Sequence, residues 1–177
     1  MSIAQHWGST AEEREARYPC DQVLPQAPSR LTRAVDADAD VPTLFRRLEQ
    51  IRVAPYSYDL IDNLGRRSPR ALLPRQPLET GQRWMSIFTL IAFTPDEHLT
   101  FRINPGLAAR AYGDIALTYW VAPRPNGSRL LSVLRAMDAP GPLGGVRRKA
   151  LEWGDFVMMR KQLLTLAELA AGDKPTA

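Results

Sequence analysis

The chain has 177 residues, of which 45% are hydrophobic and 24% are charged, with a net charge of +4 and an isoelectric point near 9.6. This balance predicts a single globular domain with a sizeable core and excludes a chain that is disordered throughout. The basic residues are mostly arginines scattered along the sequence, without a continuous basic face interleaved with aromatics, so we expect no nucleic-acid partner.

Cysteine and histidine usage limits redox and metal chemistry. The one cysteine, Cys20, excludes an internal disulfide and a thiolate cluster. The two histidines, His6 and His98, do not have a metal-ligand spacing, so we expect no metal and no cofactor. No apolar run approaches the roughly 18 residues of a spanning helix, and no signal-peptide pattern is present. These patterns predict a cytoplasmic protein without a transmembrane segment.

Residues 1–30 are predicted to form an N-terminal arm that packs on the surface of the domain. A short helix is expected at Ser9–Arg17. Pro19 and the prolines that follow it are expected to prevent this helix from continuing. Trp7 and Tyr18 are the candidate anchors of this arm.

The domain itself is predicted to span residues 31–171, beginning with a strand at Leu31–Ala37. Asp38–Asp40 offers an N-cap for a helix whose apolar residues recur at helical spacing. A second short helix is predicted at Tyr56–Leu64, where Gly65 is a suitable residue to end it. Two short helices are therefore expected after the first strand.

Four consecutive β-strands are predicted in the middle of the chain. Short segments rich in proline, asparagine and glycine separate them, which favours an antiparallel meander. The strands are Trp84–Phe93, His98–Asn104, Tyr112–Val121 and Arg129–Ala136. In the third, alternation places one set of apolar side chains on a common face: Ile115, Leu117, Tyr119 and Val121.

One long helix is predicted to follow Gly144-Gly145 and to run to about residue 171, with a frayed tail at 172–177. Helical spacing places a broad apolar arc on one side: Trp153, Phe156, Met159, Leu163, Leu164, Leu166, Ala167 and Ala170. Arg160 falls inside this arc. Such an arginine must extend to the surface, pair with a buried carboxylate, or bind an anionic ligand. Its candidate partners are Asp59, Asp62 and Asp114.

This order of elements predicts an α+β fold, in which a curved antiparallel β-sheet wraps around the long C-terminal helix. A single helix rarely fills the concave side of such a sheet. We therefore expect a cavity between the sheet and the helix.

Several stretches resemble the START-like (SRPBCC, helix-grip) superfamily, and more closely its bacterial polyketide cyclase/dehydrase and lipid-transport-like branch. They are RVAPYSYDLIDNLGRRSPR (52–70), GQRWMSIFTLIAFTPDEHLTFR (81–102) and WGDFVMMRKQLLTLAEL (153–169), with a lead-in at AEEREARYPCD (11–21). The resemblance covers roughly residues 31–171. It implies a hydrophobic cavity that holds lipids, polyketides or other apolar molecules, and it carries over no catalytic residue.

Candidate ligand-binding residues follow from this expected cavity. The aromatic and methionine side chains at inward positions are its candidate lining: Trp84, Phe88, Phe101, Tyr119 and Met159. Tyr58 and Asp59 would edge its mouth, and Arg160 would meet a polar group of the ligand. A structural alternative stays open for the first two, namely a capped helix in which Asp62 pairs with Arg66.

Three functions remain open at this point. The leading one is binding of a hydrophobic small molecule or lipid, for transport or sensing. An aromatase/cyclase or dehydratase-type enzyme would use the same cavity, with Tyr58, Asp59 or Arg160 transferring protons or polarising a carbonyl. The third is a non-catalytic protein-interaction module. A homodimer is an open alternative for any of them.

Overall fold

The computed structural model describes residues 2–57, 68–138 and 144–173. Its helices are α1 (Ile3–His6), α2 (Ala11–Glu15), α3 (Pro19–Val23), α4 (Val41–Leu48), a 3₁₀ helix (Glu49–Arg52), α5 (Leu107–Tyr112) and α6 (Gly144–Gly172). Its strands are β1 (Ser29–Ala37), β2 (Arg83–Trp84), β3 (Phe88–Thr94), β4 (His98–Ile103), β5 (Ile115–Arg124) and β6 (Gly127–Ala136). The predicted α+β class, with a curved sheet and a long C-terminal helix, is confirmed.

In the described part of the chain the sheet has six strands in the order β1-β6-β5-β4-β3-β2, and all neighbours are antiparallel. Strand alternation puts Leu117, Tyr119 and Val121 of β5 on the inner face, where they are buried as predicted. The same alternation turns Ala116 and Thr118 to the outer face. The inner face packs against α4 and α6, and this contact forms the main core.

The two halves of α6 pack differently. Leu163, Leu166 and Ala170 in the C-terminal half are fully buried against the concave face, as their spacing predicts. Trp153 in the N-terminal half is 54% exposed, so the prediction that it belongs to the buried arc is wrong. The C-terminal half of the helix therefore contributes its side chains to the core, whereas the part around Trp153 does not.

Two local predictions are corrected by the structure. The predicted strand Trp84–Phe93 is divided into β2 and β3, because Met85 and Ser86 adopt positive φ values of 49° and 63° in a tight turn. Tyr112 ends α5 instead of opening a strand, and β5 begins only at Ile115. The first predicted helix does not continue past Pro19, and Pro19 itself opens the separate helix α3, where its missing N–H costs no hydrogen bond.

The predicted second helix, Tyr56–Leu64, falls almost wholly outside the described residues. Tyr56 and Ser57 are described and lie in a bend. Tyr56 has a φ of 53° and donates a hydrogen bond to the Gln50 side chain at 2.9 Å or to the Pro69 carbonyl at 2.8 Å. These contacts join the 3₁₀ helix to the segment that begins at residue 68.

The later part of the N-terminal arm, with α3, packs on the outer face of the sheet, where Tyr18 and Cys20 belong to a second apolar cluster. Outward-facing arginines bind it. Arg129 of β6 donates to both carboxylate oxygens of Glu13, at 2.8 and 2.9 Å, and to the Gly8 carbonyl at 2.6 Å. Because most of these groups are shielded from solvent, the arm is an integral part of the described structure.

Attachment of the arm is expected to depend on pH through Glu13. Burial acts to raise the pKa of Glu13, but hydrogen bonds from Arg129 and Thr10 outweigh it and hold the pKa below the ordinary 4.5. A depressed pKa stabilises the folded state above the ordinary value, and this contribution is lost as the pH falls through the folded value. We expect urea unfolding to show a larger loss of stability between about pH 6 and pH 3 in the wild type than in Arg129→Met. Equal losses in both proteins would contradict this role.

Cys20 is expected to be unreactive in the folded protein. Its amide donates to Thr118 Oγ1 at 3.0 Å, and its thiol donates to the Val133 carbonyl at 3.3 Å. Burial raises the pKa of the thiol to about 11. Because the thiolate is the nucleophile, we expect iodoacetamide at pH 8 to alkylate the native protein roughly a hundredfold more slowly than the urea-unfolded chain, as followed by mass spectrometry. Similar rates in the two states would mean that the arm exposes Cys20.

Candidate functional site

A cavity of about 760 Å³ lies between the inner face of the sheet and the N-terminal half of α6. Four segments complete its wall: the end of the 3₁₀ helix with residues 53–57, the turn at 85–87, the end of α5, and the last residues of β6. The volume falls within the roughly 300–1,000 Å³ that is typical of small-molecule sites. The predicted space between sheet and helix is therefore present.

The interior of the cavity is mainly apolar. Alternate positions on the inner strands and one face of α6 supply aliphatic, aromatic and thioether groups, including Leu31, Ile51, Phe88, Leu117, Leu134 and Met159. Such side chains form no directional hydrogen bonds, so the cavity wall suits apolar molecules of more than one shape. The flexible methionines of α6 can adjust their rotamers to fill gaps beside a ligand.

The opening of the cavity is also apolar. Five large hydrophobic residues that line it are between 36% and 56% exposed: Val53, Ile87, Tyr112, Met137 and Met158. They come from five different segments but adjoin the same space. Several exposed apolar side chains around one cavity are typical of a binding surface, whereas single exposed hydrophobic residues are common on any protein.

The structure brings three of the predicted ligand-binding residues together at the cavity. Phe88 of β3, Tyr119 of β5 and Met159 of α6 all line it. Trp84 and Phe101 are fully buried and do not line it; their ring centroids lie 5.2 Å apart in the adjoining core. Any role of these two residues in ligand binding is therefore indirect, through support of the residues that line the cavity. Tyr58 and Asp59 lie outside the described residues.

Arg160 does not line the cavity. Its side chain is exposed, and its guanidinium carbon lies 5.3 Å from the centroid of the Trp7 ring. This matches the alternative in which the arginine extends from the apolar arc to the surface. Of the carboxylates considered as its partner, Asp114 instead pairs with Arg102 at 2.6 Å, and Asp59 and Asp62 lie outside the described residues.

A polar group at one end of the cavity was missed by the sequence reasoning. Asp155 and Gln162 line the cavity from α6, beside Tyr119. The Gln162 amide donates to the Pro55 carbonyl, and the Tyr119 hydroxyl donates to the Gln162 side-chain oxygen. The hydroxyl also lies 3.7 Å from the Met159 sulfur. These hydrogen bonds fix β5, α6 and the segment around Pro55 relative to one another at the cavity.

Asp155 is paired with a buried arginine. Arg33 of β1 is 1% exposed; it donates to the Asp155 carboxylate, to the Ala4 carbonyl at 2.9 Å and to the Glu152 carbonyl at 3.3 Å. A buried guanidinium is tolerated only when a countercharge and hydrogen bonds replace its lost hydration. The ion pair thus joins the edge of the sheet to the first half of α6.

Two sequence signals could have found this group. Arg33 lies between Leu31 and Val35 on the inward alternation of β1, where a charged residue is unusual. Asp155 and Gln162 share a helix face with Met159, at spacings of four and three residues. Arg160 was noted as an exception on this arc, whereas Asp155 and Gln162 were not.

The Tyr119 hydroxyl stays protonated at neutral pH. Burial is the main cause that raises the pKa of Tyr119 well above its ordinary value of 10. The nearby Asp155 carboxylate raises it further, while Arg33 and the bond to Gln162 act in the opposite direction. Tyr119 therefore acts as a neutral hydrogen-bonding group and not as a phenolate.

The described residues show neither a metal-binding cluster nor a membrane-spanning helix. They contain no group of three or more histidine, cysteine, aspartate or glutamate side chains placed to hold a metal ion. Within the same ranges, each helix is too short or too polar to cross a bilayer.

Comparison with known proteins finds similarity at the level of structure. No family model and no curated protein matches the chain. Protein MLL2253 from Mesorhizobium loti has a TM-score of 0.54 at 15% identity, over 82% of this chain and 99% of that one. Protein TTHA0849 from Thermus thermophilus has a TM-score of 0.54 at 13% identity, over 82% and 99% of the two chains.

A third similar structure is StfQ, described as a di-domain ARO/CYC from the steffimycin biosynthetic pathway. Its TM-score is 0.52 at 11% identity, over 81% of this chain and 50% of StfQ. Identities this low show a common fold and nothing finer. Together with the curved sheet and the long terminal helix, they show that this chain has the helix-grip fold.

Proposed function

We propose that this protein binds a hydrophobic small molecule or lipid in the cavity between the sheet and α6. The observation that carries the proposal is the continuity between an apolar interior of about 760 Å³ and an apolar opening. Each 100 Å² of apolar ligand surface removed from water contributes roughly 2.5 kcal/mol to binding, before the costs of association. A molecule enclosed on most sides could therefore bind without any charged contact.

The direct test is uptake of a neutral apolar fluorophore, N-phenyl-1-naphthylamine. We expect a saturable rise in its emission with one site per chain, because the cavity removes the probe from water. Native mass spectrometry of protein purified without detergent, followed by solvent extraction, would report any molecule carried through purification. Absence of saturable uptake, with no extractable molecule, would overturn the proposal.

A cyclase- or dehydratase-type enzyme is the second candidate. The observation that favours it is that the Tyr119 hydroxyl and the Asp155 carboxylate face the same cavity. In such an enzyme the Asp155 carboxylate would accept a substrate proton, and the Tyr119 hydroxyl would exchange its bond to Gln162 for one to the substrate in order to donate. Incubation with a poly-β-carbonyl thioester, followed by NMR, tests this function: turnover that is lost in Tyr119→Phe would support it. An unchanged substrate would leave binding as the function.

A further inference from the structure

The polar end of the cavity is built from one row across the sheet. In the strand register, Arg33 of β1 lies opposite Ser132 of β6, and Ser132 lies opposite Tyr119 of β5. Directly paired residues share a face, so all three side chains are on the inner side of the sheet. Asp155 and Gln162 of α6 meet this row through their bonds to Arg33 and Tyr119.

Most hydrogen-bond donors of this group are already committed. The Pro55 carbonyl can only accept, so the nitrogen of the Gln162 amide faces it and the amide oxygen faces Tyr119. The Tyr119 hydroxyl must then donate to that oxygen. Arg33 does not line the cavity, and it directs its guanidinium to the Asp155 carboxylate and to two backbone carbonyls.

Acceptor capacity remains on the cavity side. Arg33 binds Oδ2 of Asp155, while Oδ1 receives no hydrogen bond from the described part of the chain. The Tyr119 oxygen, having donated its proton, keeps lone pairs that can accept. Behind them, the Ser132 hydroxyl is 1% exposed, does not line the cavity and has no partner among the described residues. Hydrogen-bonding capacity at this end therefore exceeds what the described protein groups use.

Among the described residues, the charge at this end is balanced. Asp155 is compensated by Arg33, so a bound cation would lose hydration without meeting an unpaired carboxylate. A bound anion would lie beside the Asp155 carboxylate, where the guanidinium is already used. Arg52 is the remaining charged residue among the described cavity-lining residues, and it lies over Trp84 at 5.1 Å, toward the β2 edge and away from β1.

We propose that this end of the cavity is a specificity subsite for an uncharged hydrogen-bond donor, a hydroxyl or N–H group, on an otherwise apolar ligand. Asp155 and Tyr119 accept hydrogen bonds from the ligand, and Arg33 is a positioning residue that holds the Asp155 carboxylate. This inference rests on the proposed function and adds the class of ligand: neutral alcohols, phenols or amides in preference to fatty-acid-like carboxylates.

Three probes with one ring system separate the possibilities: 2-naphthol, 2-methoxynaphthalene and 2-naphthoate at pH 7. We expect 2-naphthol to bind about tenfold more tightly than either of the others, because only it donates a hydrogen bond without carrying a charge. Displacement of N-phenyl-1-naphthylamine gives the three dissociation constants. Comparable binding of the naphthol and the methoxy compound, or tightest binding of the naphthoate, would overturn the subsite and leave the binding function intact.

Failure of the function itself has a different signature. If none of the three probes and no N-phenyl-1-naphthylamine binds, the cavity is not a ligand site, and both proposals fall. The comparison uses the unmodified protein, so it does not depend on the folding of any variant.

Asp155→Asn then assigns the preference. The amide keeps the size of the carboxylate but is a weaker acceptor, so we expect the advantage of the naphthol to fall to about twofold while 2-methoxynaphthalene binds as before. Asp114→Asn, in the exposed pair with Arg102, is the matched control and should keep the full preference. An unchanged preference in a folded Asp155→Asn protein would overturn the role of Asp155.

Discussion

Replacement of Gly154 by tryptophan is expected to weaken binding of N-phenyl-1-naphthylamine by at least about tenfold. Gly154 lines the cavity from α6, and a Cβ placed there would meet no atom within 4 Å. The indole can therefore be added without a backbone clash, and it would take up space that the probe needs. Fluorescence titration of the wild type and the variant measures the change.

Two controls separate occlusion from damage to the helix. Gly154→Ala adds only a methyl group, so binding should be unchanged, and helix stability should rise by about 0.5–1 kcal/mol, measured by urea unfolding. Gly172→Trp adds an indole at the other end of α6, where a Cβ also has open space and the residue does not line the cavity. Wild-type affinity in a folded Gly154→Trp protein would mean that ligands bind elsewhere.

The fold could be predicted where local patterns agree with the tertiary contacts. Alternation at Leu117, Tyr119 and Val121 predicts the inner face of β5, because a half-buried strand must turn every second residue to the core. Spacing at Leu163 and Ala170 predicts the buried stripe of α6 for the same kind of reason. These two patterns predict the structure correctly because burial of one face dominates the energetics of both the strand and the helix.

Prediction failed where backbone geometry or depth decides the outcome. The turn at Met85 and Ser86 needs positive φ values. Neither residue type favours such a conformation, so the sequence around the turn was interpreted as one continuous strand. Trp84 and Phe101 have the same inward pattern as Phe88, yet only Phe88 lines the cavity. Periodicity gives the face of an element and not how far behind the surface a side chain lies.

The polar end of the cavity was beyond sequence reasoning for a further reason. Arg33 and Asp155 are separated by 122 positions, and only the finished sheet and helix bring them together. Arg160 was noticed because it interrupts an apolar arc, yet its long side chain reaches Trp7 at the surface. Asp155, five positions earlier, stays beside the cavity and supplies the countercharge that the buried Arg33 needs.

Loss of that partner is expected to be the most destabilising single change in this part of the molecule. Arg33→Leu would leave the Asp155 carboxylate beside an apolar cavity without its countercharge, and would also leave the Ala4 and Glu152 carbonyls without their donor. Removing one member of a buried ion pair typically costs about 3–5 kcal/mol, and the lower end of this range applies here because the remaining Asp155 side chain is 21% exposed. We expect a decrease of this size in the free energy of unfolding, measured by urea denaturation.

The comparison variants test whether burial is the cause. Arg102→Leu removes the same guanidinium from the pair with Asp114, in which both side chains are partly exposed, and should cost at most about 1 kcal/mol because solvent screens such pairs. Arg33→Leu combined with Asp155→Leu removes the buried guanidinium together with its half-buried partner and should recover much of the loss, since the uncompensated carboxylate disappears. If the double variant is as unstable as Arg33→Leu alone, the arginine stabilises the protein mainly through its carbonyl contacts, and the ion pair is not what holds the first half of α6 against β1.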